Sequence, residues 1–381
     1  MDFSFLKQLF PVKNLFQKQD DSVLGVDIGS SAIKVVQLRK EKGVAILETY
    51  GELALGPYAG VEIGRATQLP VEKLVEALSD LLREANVTTR STGFSIPFAS
   101  SLLSLIEMPK VSTAELNKMI PLEARKYIPV PVKEVMLDWL IIPDDDRERE
   151  KKDEGTEEGQ DKQLSLKKIE VLLVAIHNEV LYNYNQIVER VGLENSFFEI
   201  EIFSSMRAIL EQSLTPVMII DIGAAKTKAY IVEYGIIRNS HVINKGSQDV
   251  TIGIAKSLSM SEAEAEEIKR MQGLASNQDA NDITKVALLT LDHIFSEANR
   301  VLLNYQIKNN KNVPRAILTG GGAVMKGVDE LAKRHLETEI ELANPFANID
   351  TPAFLDDVLR QAGPEFAVAV GVALRKLNEQ P

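Results

Sequence analysis

One phrase occurs twice in the chain, as Asp27-Ile-Gly-Ser-Ser-Ala-Ile-Lys34 and, roughly half a chain later, as Asp221-Ile-Gly-Ala-Ala-Lys-Thr-Lys228. Each copy follows an apolar run of β type, Val23-Leu24-Gly25-Val26 in the first case and Val217-Met218-Ile219-Ile220 in the second. Each Asp therefore stands where a buried strand ends. The glycine that follows allows a tight turn. With no Cβ at Gly29 or Gly223, the backbone N–H groups of such a turn can converge on a phosphate. Gly29, Ser30 and Ser31 are the candidate contacts in one hairpin, and Gly223, Ala224, Lys226 and Thr227 in the other. Two such hairpins can hold one polyphosphate between them, with Asp27 and Asp221 facing, through water, the Mg²⁺ that accompanies it. A single copy is ordinary strand-end turn chemistry. Two copies at this separation are what two related domains facing each other across a cleft produce.

A third element follows in Ala316-Ile-Leu-Thr-Gly320-Gly321-Gly322-Ala323, a short β run that ends in three glycines and is followed by a helical pattern over 325–336. A glycine run entering a helix lets backbone lie flat against a base or approach its phosphates. In this order the three elements resemble the phosphate-1, phosphate-2 and adenosine motifs of the actin, Hsp70 and sugar-kinase superfamily. The resemblance includes the two linking helices. Glu201-Ile-Phe-Ser-Ser-Met-Arg-Ala208 stands where connect-1 belongs, and Phe366-Ala-Val-Ala-Val-Gly-Val-Ala-Leu374 where connect-2 belongs. Both are rich in small residues, which lets crossing helices approach closely.

Within the superfamily the chain is similar to the type IV pilus assembly PilM family, relatives of the division protein FtsA. The residues that carry this are the opening Val23 to Ser31 with Lys34-Val-Val-Gln-Leu38, then Phe94-Ser-Ile-Pro97, Glu123-Ala-Arg-Lys-Tyr-Ile-Pro129, Asp138-Trp139 and Val174-Ala175. The phosphate motifs mark the superfamily; the segment from Glu123 to Pro129 and the later Asp-Trp point to the family. The resemblance implies an α/β, actin-like ATPase fold, in which two related domains with ribonuclease H-like cores surround a nucleotide cleft and an FtsA-like subdomain is inserted. The expected division is a leader at 1–21, subdomain 1A at 22–100, the insertion 1C at 101–195, subdomain 2A at 196–245 and 313–360, subdomain 2B at 246–312, and a returning C-terminal helix at 361–381.

The same resemblance implies ATP with Mg²⁺ in the cleft. It assigns the nucleoside to Lys269 with either Glu266 or Glu267, and places Glu201 where the superfamily orients an attacking water. Lys34 is either a phosphate contact or a lysine on a strand surface. Any hydrolysis is expected to be slow, as suits a conformational clamp. The implied partner is the N-terminal cytoplasmic peptide of a PilN-like inner-membrane protein, held in a groove between the first domain and the insertion. Phe94, Ile96 and Phe98 lead into that region and are its candidate contacts, although ordinary core is the better reading of any single one. The competing functions are an FtsA-like division protein and a small-molecule kinase. The first is expected to carry a C-terminal membrane helix, for which the sequence after Lys376 leaves no room, and nothing marks the substrate pocket of the second. Self-association is left open.

Composition narrows the choice. The 381 residues are enough for two domains, and a net charge of -12 opposes broad nucleic-acid binding. With no cysteine, neither a disulfide framework nor a Cys-ligated metal is available. The four histidines lack metal-ligand spacing. No apolar run is long enough to span a bilayer, and Lys7, Gln8 and Pro11 break up any signal-like segment. The expectation is a cytoplasmic protein at the inner face of the membrane, associated with it indirectly. Phe3, Leu6, Leu9 and Phe10 have helical spacing, but Pro11 interrupts them after barely two turns, so 1–21 reads as a leader. Residues 144–168 are crowded with charge and read as a mobile hairpin loop. Ser112 with Glu115 spells a capping box at the start of a helix.

Overall fold

The computed structural model describes residues 22–142, 168–211, 215–274 and 282–379. The leader and the charged segment up to its last residue, Lys168, lie outside the described residues. Two compact units are present, one of Phe98–Asn183 and one of the described residues before and after it.

The larger unit contains two sheets of one plan. In the first, β1 (Ser22–Ile28) pairs antiparallel with β2 (Ala32–Glu41), which pairs antiparallel with β3 (Val44–Ala54). On its other side β1 runs parallel to β4 (Ser91–Ile96), and β4 parallel to β8 (Glu194–Ile200). In the second sheet β9 (Val217–Ile222), β10 (Thr227–Glu233) and β11 (Ile236–Ile243) repeat the antiparallel meander, while β12 (Arg315–Thr319) and β13 (Glu339–Leu342) repeat the two parallel strands. Both sheets thus have the strand order 3-2-1-4-5 of a ribonuclease H-like core, and the two-residue strand β14 (Ile349–Asp350) extends the first beyond β3. Valine and isoleucine are concentrated in the central strands β1 and β9, which are buried along nearly their whole length, whereas β3 is largely half-buried or open. At the β2–β3 turn Lys42 and Gly43 both take positive φ, the twist that a two-residue hairpin requires.

Helices cover these sheets. α1 (Val71–Glu84) starts at Pro70 and buries Ala77, Leu78 and Leu81. α4 (Glu201–Ile209) and the long α9 (Asp356–Asn378) cross in contact. A Cβ on Gly371 would lie 1.8 Å from the carbonyl oxygen of Ser204, and one on Gly25 2.0 Å from that of Ala369. Small residues therefore let α9 lie directly on both α4 and β1. Over the second sheet pack α5 (Ser247–Leu258), α6 (Glu262–Gln272), α7 (Asp282–Asn309) and α8 (Val328–Leu336), with Leu291, Ile294 and Phe295 in their shared core.

The smaller unit is a three-stranded sheet of β5 (Ser101–Pro109), β7 (Lys168–His177) and β6 (Val135–Ile141), with β7 in the centre. It shares one core with α2 (Thr113–Glu123), through Leu116, Ile120, Val171 and Leu173. The Ser112–Glu115 capping box is formed, satisfying N–H groups that the first turn of α2 would otherwise leave unpaired. The division between the units falls within α3 (Asn178–Val191).

Candidate functional site

The two hairpins match atom for atom in their closure. Gly29 N donates to Ala32 O at 3.0 Å, and Gly223 N to Lys226 O at 3.0 Å. A Cβ on either glycine would lie 2.9 Å from the same carbonyl. These two N–H groups are thus consumed by the turns. Among the described residues the N–H groups of Ser30 and Ser31, and of Ala224 and Ala225, have no acceptor. Those are the donors free to meet an anion. The hydroxyl of Thr227 is buried and donates to Lys245 O at 2.9 Å, whereas Lys226 is exposed.

The acids behind the turns have different surroundings. Asp27 Oδ1 accepts from Ser95 Oγ at 2.6 Å, and among the described residues Asp27 makes no ion pair. Burial raises its pKa above the usual carboxylate range, against the opposing pull of Ser95, Lys34 and Lys228, and Asp221 adds to the rise. Asp221 is closely held. Its Oδ2 accepts from Lys228 Nζ at 2.9 Å, and its Oδ1 lies against Gly320, where a Cβ would come within 2.3 Å. The same Lys228 Nζ donates to Glu201 Oε2 at 2.6 Å. Burial raises the pKa of Glu201; Lys228 opposes this, while Asp221 and Asp27 reinforce it.

Sequence reasoning missed Lys228, although the signal was available: it pairs with Asp221 across the second hairpin as Lys34 pairs with Asp27 across the first. Lys34 does something else. It is largely buried and points to Glu52 at 3.3 Å and Glu365 at 4.0 Å. That makes Glu52 and Glu365 further residues of the cleft that the sequence did not single out.

The three glycines also separate. Gly320 has φ +83°, and its N–H donates to Pro364 O at 2.9 Å; Gly322 packs on Ile222, which a Cβ would approach to 2.3 Å. Gly321 is exposed, and a Cβ there would touch only Glu365, at 3.5 Å. The run does not enter a helix directly. Residues 320–327 turn, and α8 begins at Val328 behind Gly327 in the left-handed region, so its N-terminus does not follow directly on the glycines.

Between Glu266 and Glu267 the structure distinguishes clearly. Glu267 is exposed. Glu266 is buried and accepts from Thr251 Oγ1 at 2.6 Å and Arg270 Nε at 2.8 Å, with Lys269 Nζ at 2.6 Å. Its carboxyl group lies against Gly64, whose φ of +89° and missing Cβ permit the approach. Nearby, Ala66 N donates to Gln248 Oε1 at 3.0 Å, Arg65 pairs with Glu262 at 3.0 Å, and Thr67 N donates to Ser30 O at 2.7 Å. One short segment, 64–67, therefore ties the first hairpin to α5 and α6.

Below the acids, Glu199 is buried with Arg207 at 2.7 Å, Arg375 at 2.9 Å and Ser204 Oγ at 2.6 Å. Burial alone would raise its pKa, but the guanidinium groups of Arg207 and Arg375, with the hydroxyl, hold it below the usual range. This network fixes α4 against α9 and so sets the direction of Glu201, two residues further on.

Phe94 and Ile96 occupy core positions. Both are 0% exposed on β4, which lies between β1 and β8, and Phe94 packs edge-on against Tyr184; Phe98 is buried as well.

Two ribonuclease H-like sheets carrying matched hairpins define the class: this is an actin-like ATPase fold. The description "Type IV pilus assembly protein PilM" covers residues 25–377, and the chain belongs to that family. A chain of the solved PilM-PilN type IV pilus biogenesis complex is 24% identical, with a TM-score of 0.76 over 93% of this chain and 98% of that one. The ethanolamine utilization protein EutJ of Carboxydothermus hydrogenoformans shares the fold at a TM-score of 0.52 and 16% identity, over 95% of this chain and 91% of its own. The cell division protein FtsA of Neisseria meningitidis serogroup B is 23% identical over 93% of this chain and 90% of its own length. No helix among the described residues is long and apolar enough to cross a membrane.

Proposed function

We propose that the cleft between the two hairpins binds ATP, and that the protein is a nucleotide-dependent adaptor of a type IV pilus assembly platform at the inner face of the cytoplasmic membrane. The observation that carries this reading is the pair of hairpins, identical in closure and register, with free N–H donors on both and the open Gly321 nearby. Gly320 and Gly322 are required by the protein's own packing, but Gly321 is not, and a flat ligand is what its missing Cβ serves. Ser30, Ser31 and Ala224 cradle the phosphates, while Glu266 and Lys269 flank the nucleoside.

The residues fit a hydrated Mg²⁺ at Asp27, which makes no ion pair among the described residues; at Asp221, Lys228 takes one oxygen and the other lies against Gly320. Bound Mg²⁺ would neutralise and orient the phosphates. Glu201 is the carboxylate placed to orient a water, and the hydrogen bond from Lys228 already occupies one of its oxygens. This favours slow turnover and a clamp-like role.

The PilM-PilN complex supports a PilN-like partner for this chain as well. The experiment is a titration of a labelled N-terminal cytoplasmic peptide of the PilN-like protein, with and without ATP and Mg²⁺. Saturable binding whose affinity changes about 5- to 150-fold with ATP, the range of ordinary coupling between sites, is the expected result. No binding in either condition would remove the adaptor reading.

A further inference from the structure

We propose that Lys228 is a built-in counter-cation of the cleft, standing at the second hairpin in the place a divalent metal ion would otherwise take. Its Nζ lies 2.6 Å from Glu201 Oε2 and 2.9 Å from Asp221 Oδ2, and the side chains of all three are largely buried. One ammonium thereby bridges carboxylates from two elements, α4 and β9. The other oxygen of Asp221 lies against Gly320, whose missing Cβ makes room for it. A divalent cation and an ammonium cannot share these oxygens, because like charges at such separations repel strongly where water is scarce.

The first hairpin shows that register alone does not produce this arrangement. Lys34 occupies the corresponding position opposite Asp27 but turns to Glu52 and Glu365, leaving Asp27 to Ser95. The duplicated hairpins have thus diverged in charge. The first keeps an acid open to a hydrated cation, and the second carries its own cation. Nucleotide binding then depends on added metal through one acid rather than two.

The test has two arms, and only the second rests on the reading of the cleft as a nucleotide site. In the first, Mn²⁺ is titrated into nucleotide-free protein and the unbound ion is followed by electron paramagnetic resonance. Lys228→Met should bind one Mn²⁺ at least tenfold more tightly than native protein, and Lys228→Met with Asp221→Asn should lose that gain. Lys228→Gln keeps hydrogen-bond donors for both carboxylates and removes only the charge; it should show the same gain if the Met variant fails to fold. Titrations indistinguishable from native would overturn the proposal.

In the second arm, ATP affinity is measured in Mg²⁺ and in EDTA. The loss of affinity on chelation should be at least tenfold larger in Lys228→Gln than in native protein, and equal losses would count against Lys228. Absence of ATP binding to native protein under both conditions would defeat the nucleotide reading, while the Mn²⁺ arm would still decide the role of Lys228.

Discussion

At position 321 a side chain would meet nothing of the protein nearer than 3.5 Å, whereas at 320 and 322 it would collide with Asp221 and Ile222. Gly321→Val should therefore fold with a stability within about 1 kcal/mol of native, as open surface substitutions do, yet lose nucleotide affinity by at least tenfold. Urea denaturation and nucleotide titration read the two effects separately. A destabilised variant would mean that the glycine serves the fold. The triplet was legible in the sequence as a motif, but the division of labour within it was not, because it depends on what β9 and α9 bring alongside. Lys228 was in view as the end of the second copy of the phrase, opposite Asp221, and its partner from α4 completes its role. Asp138 supplies a pH signature. Burial lifts its carboxyl to about 6 from 3.8, opposed by the Trp139 N–H that donates to it. The folded protein binds this proton more tightly than the unfolded chain does. The resulting stabilisation is complete below pH 3.8 and is lost as the pH rises through about 6. Relative to Asp138→Asn, native protein should accordingly lose stability between pH 4 and 6.5, measured as urea midpoints of both. A difference independent of pH would contradict the assignment.

Among elements, the crossing of α4 and α9 carries the most consequence, since Gly371 leaves no room for a methyl group against Ser204. Gly371→Ala should cost about 1–3 kcal/mol or more, the usual range for overpacking, and should disturb the Glu199–Arg207–Arg375 network along with it. Denaturant unfolding measures the loss, and an unchanged midpoint would show that the helices separate easily. The small-residue composition of both helices made this crossing legible. β8 was not legible. Its sequence, Glu194-Asn-Ser-Phe-Phe-Glu-Ile200, places the charge of Glu199 where a buried strand should carry none, and the arginines that satisfy it, Arg207 and Arg375, lie 8 and 176 residues away in sequence. The start of α8 was misplaced toward the glycines because Met325 and Val328 share helical spacing, while the left-handed Gly327 that opens the helix is visible only in three dimensions.

In the whole molecule, the duplicated phrase proved to be a duplicated topology: both sheets share one strand order, and both hairpins share one closing hydrogen bond. That much followed from the sequence because buried strands and turn glycines are local signals. The segment 64–67, which ties the first hairpin to α5 and α6, could not be foreseen, since its contacts depend on Gln248, Glu262 and Glu266 far along the chain. The central claim is that the two hairpins and Gly321 enclose a nucleotide site, and the most direct measurement is an equilibrium titration of native protein, Asp27→Ala and Gly321→Val with ATP and Mg²⁺. Native protein should bind one ATP, with an accompanying rise in stability of about 2.7 kcal/mol when ATP is a hundredfold above its dissociation constant. Both variants should remain folded and lose at least tenfold in affinity. A native protein that binds no ATP, or folded variants that bind it undiminished, would contradict the claim.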